Sequence, residues 1–224
     1  MTIEPKINNM LFDSYNAKLL SFQIGFSSNS GTYHSTKSRL FPVKLNAKMS
    51  LRSITLKVDF EGSTVRDIET NISNFMSALY DGADILLPDG FLYMCSFDKA
   101  TAPKEKAPWI LQVTFALSGI RHDPLEQTDP MTSTTVIQVK GNYETPAIIT
   151  AECYETPVTI AGITISDITG TIVIDGIKCK VTQNGVNKFA NTNLTEFPKL
   201  KAGNNSIAIS GNASVVISYY PIFI

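Results

Sequence analysis

Thr64-Val65-Arg66-Asp67-Ile68-Glu69-Thr70-Asn71-Ile72-Ser73-Asn74-Phe75-Met76-Ser77-Ala78-Leu79-Tyr80 is the one stretch of the chain with a helical period. Val65, Ile68, Ile72, Phe75, Met76 and Leu79 fall on one stripe, and Arg66, Glu69, Asn71, Asn74 and Ser77 fall on the other faces. Thr64 followed three residues later by Asp67 offers a start, the shorter acid making a weaker capping box than glutamate would, and Gly82 offers a stop. Everything on either side reads as short strands and turns. The stripe is therefore expected to lie across one face of a sheet.

Upstream, Leu20, Phe22, Ile24 and Phe26 alternate with smaller or polar residues and predict a strand, as do Ile54, Leu56, Val58 and Phe60. Ser27 to Ser38 reads as an exposed loop or long hairpin tip carrying Tyr33 and His34, and Arg39 to Leu45 as a strand at an edge or bulge, given Pro42. Downstream of the helix, Ala83–Leu87 and Phe91–Phe97 flank Pro88-Asp89-Gly90 and predict a hairpin. Lys99 to Pro108 reads as a solvated loop, and Trp109, Leu111, Val113, Phe115 and Leu117 as the inward face of a strand whose period fails at Gly119.

Two Asp-Pro pairs between Arg121 and Met131 suit a stiff connection. Beyond them the texture changes to Thr, Val, Ile, Gly and Asn with no helical period. Strands are expected over Thr134–Lys140, Ala147–Tyr154, Thr171–Ile174, Ile177–Thr182, Ser206–Ser210 and Ala213–Tyr220, with Gly141-Asn142, Asp175-Gly176, Asn184-Gly185 and Gly211-Asn212 as turns. The expected architecture is mainly β: residues 1–122 an antiparallel β domain with one amphipathic α-helix, 123–130 a linker, and 131–224 a β-sandwich.

The 224 residues carry a formal net charge of −1, which gives no electrostatic footprint for nucleic acid and no polybasic membrane patch. The first twenty residues lack a secretory pattern and no segment approaches a membrane span, so cytosolic folding is expected and the sequons at Asn71, Asn193, Asn204 and Asn212 carry no glycosylation meaning. Cys95, Cys153 and Cys179 are odd in number and widely spaced, the pattern of free thiols.

No nucleophile elbow, zinc-protease motif or phosphate-cradling loop occurs. Catalytic, cofactor-binding and metal-binding residues are accordingly assigned to none, and no cofactor is expected. His34 lacks an acidic or thiol neighbour in sequence. His122 and Asp123 are adjacent, so extended backbone would point them apart rather than into a dyad. Asp175, Glu144 and Glu155 read as solvated acids, and Tyr143, Tyr154, Tyr219 and Tyr220 as tyrosines that close a sandwich edge rather than a binding platform.

The tail, Phe197-Pro198-Lys199-Leu200-Lys201-Ala202-Gly203-Asn204-Asn205-Ser206-Ile207 followed by Ser214-Val215-Val216-Ile217-Ser218-Tyr219-Tyr220-Pro221, resembles the end of distal tail (Dit) proteins of long-tailed bacteriophages. There a Phe-Pro-x-Leu-x-x-Gly-x-Asn segment precedes the last strand of a galectin-like sandwich, and Gly170–Gly176 with Asn184-Gly185 resembles the preceding hairpin and loop. The first half matches by pattern and order. The resemblance implies a non-enzymatic virion protein at the tail tip, assembled in the host bacterial cytoplasm. It implies a homohexameric ring that joins the tail tube protein to the tip and anchors a tail-tip or tail-associated lysin protein and receptor-binding proteins, without direct membrane or sequence-specific nucleic-acid binding. The alternative is a carbohydrate-binding module that attaches a phage or cell-wall enzyme to the host surface. Any carbohydrate-binding residues are unknown: residues 131–224 contain no tryptophan, histidine or arginine, the groups a galectin-type site uses, although Tyr154 or Tyr220 offers a platform and Asn184, Asn187 and Asn204 offer donors.

Overall fold

The computed structural model describes residues 3–34 and 43–224, which form two compact units, one running to Arg121 and the other from His122 to Phe223. In the first unit, β1 (Lys6–Ile7), β2 (Met10–Leu11) and a 3-10 turn (Phe12–Tyr15) lead into β3 (Ala17–Ile24). Then follow β4 (Asn29–His34), β5 (Val43–Met49), β6 (Arg52–Glu61), α1 (Val65–Tyr80), β7 (Ala83–Leu86), β8 (Leu92–Ala100), β9 (Lys104–Ala107) and β10 (Ile110–His122). The main sheet has the order β2-β1-β7-β8-β10-β6-β3, and β4 pairs with β5 as a separate antiparallel ribbon.

The helix begins where the sequence places it. Thr64 is extended (φ −138°, ψ 160°) and its hydroxyl accepts the Asp67 N–H at 3.1 Å. Gly62 allows the preceding chain to come close, since a Cβ there would lie 2.8 Å from Ile68 Cγ1. Ile68, Ile72, Phe75 and Leu79 are buried, Met76 is half-buried, and Val65, assigned to the stripe, is exposed because it sits in the first turn. Thr64→Ala is expected to lower the stability of the first unit by about 1 kcal/mol, read by thermal unfolding, because an orphan N–H of the first turn loses its acceptor.

Beneath the helix, β6 and β10 pair with Phe60 opposite Leu111, Val58 opposite Val113, Leu56 opposite Phe115 and Ile54 opposite Leu117. Period-2 alternation thus delivers one continuous apolar face. Phe75 drops into it, with ring centroids 5.0 Å from Phe12, 5.3 Å from Phe60 and 5.0 Å from Phe115. On the reverse face the pair Gln112–Asp59 is joined by an amide-to-carboxylate bond of 2.8 Å.

Several local expectations need correction. β3 starts at Ala17, and the register slips between Leu19 and Ser21, so that Leu20 has no cross-strand partner. Leu20 is exposed for that reason, not inward, and Phe26 is exposed because it lies past the end of β3, whereas Phe22 and Ile24 pack against the core. The Ser27–Ser38 loop contains a strand, in which His34 pairs opposite Val43, while 35–42 lie outside the described residues. Within the predicted Lys99–Pro108 loop, β9 pairs with β10, its lysines exposed as suits a sheet margin. Trp109 is not in β10 but in the two-residue turn before it. Gly119 does not end that strand. It is a site of close packing, where a Cβ would meet Cys95 Sγ at 2.7 Å and the Met94 carbonyl at 3.0 Å.

In the second unit the described strands are β11 (Glu126–Gln127), β12 (Thr135–Val139), β13 (Thr145–Cys153), β14 (Val158–Ile160), β15 (Ile163–Ile165), β16 (Gly170–Asp175), β17 (Lys180–Gln183), β18 (Val186–Asn187), β19 (Lys199–Leu200), β20 (Gly203–Ile207), β21 (Ile209–Ser210), β22 (Ala213–Tyr219) and β23 (Ile222–Phe223). One layer has the order β11-β22-β13-β16-β17-β18, and the facing layer is built from the β12-β20 pair and the β15-β14-β21 sheet. The core between them is aliphatic, including Ile149, Ile172, Ile174, Val215 and Ile217 from one side and Val139, Val158, Ile160, Ile165 and Ile207 from the other. Glu126 and Gln127, in the segment read as a linker, pair with Tyr219 and Ser218. The Ile177–Thr182 strand begins only at Lys180, because Asp175 Oδ1 accepts the N–H groups of Ile177 and Lys178, both at 2.9 Å, and folds 176–179 into a turn. The β14-β15 hairpin has no counterpart among the expected strands.

Candidate functional site

Among the described side chains, the polar residues singled out in the sequence do not assemble into a reaction centre. His122 is buried, its Nδ1 lies 2.8 Å from the Asp123 main-chain oxygen, and its ring stands edge-on to Tyr220 at 5.0 Å. This contact with Asp123 is to the main chain. Asp175 organises its own turn, Glu144 lies 3.9 Å from Lys199 Nζ, and Glu155 is exposed. Among the described residues no group of three His, Cys, Asp or Glu side chains is placed to hold a metal ion. No described helix is long and apolar enough to cross a membrane.

The tyrosines do not make one platform. Tyr219 is a core residue whose hydroxyl accepts the Lys140 N–H at 3.3 Å, Tyr220 packs on His122, and Tyr154 is exposed in a different turn. The candidate donors are occupied by architecture or spread apart. Asn184 takes φ 50° in a hairpin turn, Asn187 Oδ1 accepts the Phe189 N–H at 2.9 Å, and Asn204 sits in β20 opposite Gln138.

The cysteines divide by environment. Burial, and secondarily the carboxylates of Asp84 and Asp98, pushes the Cys95 thiol up to about 12. Cys153 is raised by burial and then by Glu152, whereas Cys179 is exposed. Thiolate is the reactive form. Titration of the native protein with an aromatic disulfide reagent near neutral pH is expected to consume Cys179 promptly, with Cys95 and Cys153 reacting only on unfolding.

The surface features that remain are margins and grooves. β3 ends the order of the main sheet, so its outer edge carries main-chain donors and acceptors with no neighbouring strand in that order. Leu20 stands exposed at its bulge. The opposite end of the same order is β2, only two residues long. The two ends are therefore unlike in length and side chains.

No protein-family model matches the sequence, and no curated protein matches it. Solved structures do. The SPP1 Dit protein, a hub of the adsorption apparatus in phages that infect Gram-positive bacteria, matches with a TM-score of 0.68 at 13% identity, over 97% of this chain and 98% of that one. A chain of the phage P2 baseplate in its activated conformation with calcium matches with a TM-score of 0.65 at 10% identity, over 100% of both chains. The same baseplate with strontium gives 0.60 at 10% identity. Coverage from end to end means that both units and their order in the chain are shared: from its first strand to its last, this chain has the fold of the Dit-type hub proteins of phage tails.

Proposed function

We propose that this protein is a structural component of a phage tail tip, a Dit-type hub in which the first 122 residues close into a ring and the second unit, a galectin-like sandwich, presents docking surfaces. The observation that carries this reading is the match to hub and baseplate chains over both units. In it the chain joins the tail tube to the tip and holds a tail-tip or tail-associated lysin protein and receptor-binding proteins, after assembly in the host bacterial cytoplasm. No step of chemistry is assigned to it.

The unlike ends of the main sheet support a ring over a two-fold dimer. A contact between one kind of edge and another is head-to-tail, and head-to-tail contacts repeat until the rotation closes. A pairing of two β3 edges would instead consume both open margins at once. Six copies of the 24.5 kDa chain make about 147 kDa, and light scattering on the purified protein is expected to find that mass. Leu20→Lys is expected to shift the population to monomer without lowering the melting temperature, because Leu20 is exposed and unpaired. A mass of one chain for the purified protein at every concentration up to tens of micromolar counts against ring formation.

A further inference from the structure

Trp109, the chain's only tryptophan, occupies a backbone position that suits glycine. β9 and β10 are joined through Ala107-Pro108-Trp109-Ile110, with Ala107 paired to Ile110, and Trp109 takes φ +69°. Proline first and a positive φ second is the pattern of a turn that normally recruits glycine or asparagine at the second position. A Cβ-bearing residue there is held in a sparsely populated region, and a bulky one most of all. Neither packing nor burial accounts for the indole, which is 56% exposed.

Trp109 lines an open groove of about 680 Å³ together with the apolar Pro108 and Ile110 and the polar Asn16, Glu61, Asp67, Thr70 and Asn71. The groove is built firmly: the Glu61 N–H donates to the Asn16 carbonyl at 3.0 Å, the Gly62 N–H to the Trp109 carbonyl at 3.3 Å, and the Asn71 amide to the Glu61 carbonyl at 2.9 Å. These bonds use main-chain atoms of Asn16, Glu61 and Trp109. Glu61, Asp67 and Asn16 are exposed residues, and these bonds leave their side chains unused. The lining holds acids, amides and hydroxyls but no lysine or arginine, which disfavours phosphate or any other anion.

From these observations we infer that the Trp109 groove is a binding site for a neutral saccharide. A pyranose presents an apolar C–H face and a rim of hydroxyls. It needs an aromatic plane on one side and directional acceptors and donors around it, and the lining residues Trp109, Glu61, Asp67 and Asn16 carry an indole, two carboxylates and an amide. This site lies in the first unit, whereas a galectin-type site would lie in the sandwich, and it does not depend on ring formation.

The sole tryptophan is also the reporter. Titration of the full-length protein with maltotriose, cellotriose and tri-N-acetylchitotriose to about 10 mM, the range appropriate to shallow sites, is expected to give a saturable blue shift of its emission with at least one of them. Trp109→Gly is expected to abolish the corresponding calorimetric signal while holding or raising the melting temperature, since glycine relieves the turn. Asn16→Gly, which keeps the positive φ of 48°, and Glu61→Gln are each expected to weaken binding about ten-fold. Absence of a saturable response to all three sugars overturns the inference. So does undiminished binding by Trp109→Gly, or an emission shift that follows protein concentration and not sugar, which would make Trp109 a contact between copies. Because the mass by light scattering is independent of sugar, failure of this site and failure of the hub reading are separately visible.

Discussion

Phe75→Ala is expected to destabilise the first unit by about 3–5 kcal/mol, the cost of deleting a buried aromatic ring whose surroundings cannot collapse. The surroundings here are other rings. Phe75 meets Phe12, Phe60 and Tyr15 nearly edge-on, with interplanar angles of 85°, 84° and 84°, and Phe115 at a tilt of 43°. Each ring is fixed by a different element: the 3-10 turn holds Phe12 and Tyr15, β6 holds Phe60 and β10 holds Phe115. Closing the void would require all of these to move toward the helix at once. Thermal and denaturant unfolding of the variant give the magnitude, and the expected fall in melting temperature is about 10 °C or more. If the variant melts like the parent yet fails to assemble, the apolar stripe of α1 instead serves a neighbouring copy and is not the core of its own unit.

The second large effect belongs to Gly176, and it is purely steric. A Cβ at this position would lie 2.6 Å from the Ala147 carbonyl oxygen and 2.7 Å from that of Pro198. Both neighbours are backbone, and both are already committed: Gly176 donates its N–H to the Ala147 carbonyl, and Ala147 donates its own to the Pro198 carbonyl, each at 2.9 Å. Three chain segments are thus drawn together at a spot with no room for a methyl group. Gly176→Ala is expected to cost the second unit about 3 kcal/mol. Gly185→Ala provides the contrast, because nothing lies within 4 Å of a Cβ there and only its positive φ of 78° resists the change. Its cost is expected to be about 1–2 kcal/mol. Comparable melting temperatures for the two variants would show that the segments around Gly176 are free to part.

Much of this architecture is legible in the sequence because the residues obey a single rule over many positions. The α1 stripe, the β6 and β10 alternation and the Asn184-Gly185 hairpin are of that kind, the last taking φ values of 50° and 78° as its residue types suggest. The β14-β15 hairpin turns through Ala161-Gly162 with the same signs, φ 49° and 84°, but alanine is a poor residue for that conformation, so its turn carries no signal. Leu20 misleads because a bulge moves one residue out of an otherwise regular alternation, and nothing in Leu19-Leu20-Ser21 marks it. Trp109 misleads for a related reason: its spacing continues the apolar face of β10, yet the strand begins one residue later than the period implies. The groove beside it joins residues from the approach to β3, from the start of α1 and from the β9-β10 turn, and only folding brings them together. Glu61 and Asp67 look like ordinary solvated acids in sequence. The signal available is Pro-Trp between two strands, a turn with an aromatic where glycine is expected.

The two units differ in what their cores are made of, and that difference is open to magnetic resonance. In the first, methyl groups of Leu56, Ile68 and Leu79 share a core with the rings of Phe12, Phe60, Phe75 and Phe115. In the second, the buried hydrophobic cluster is isoleucine, valine, leucine, alanine and methionine with Cys153, its one fully buried aromatic is Tyr219, and Phe197 packs against it from the margin. Ring currents displace nearby methyl resonances, so the methyl spectrum of the intact chain sorts itself. Strongly shifted signals report on the helix-covered sheet, and those near random-coil positions come chiefly from the sandwich. Line broadening that falls on one set alone, when a binding partner is added, would identify the unit it engages with no label beyond carbon-13 and no need to cut the chain.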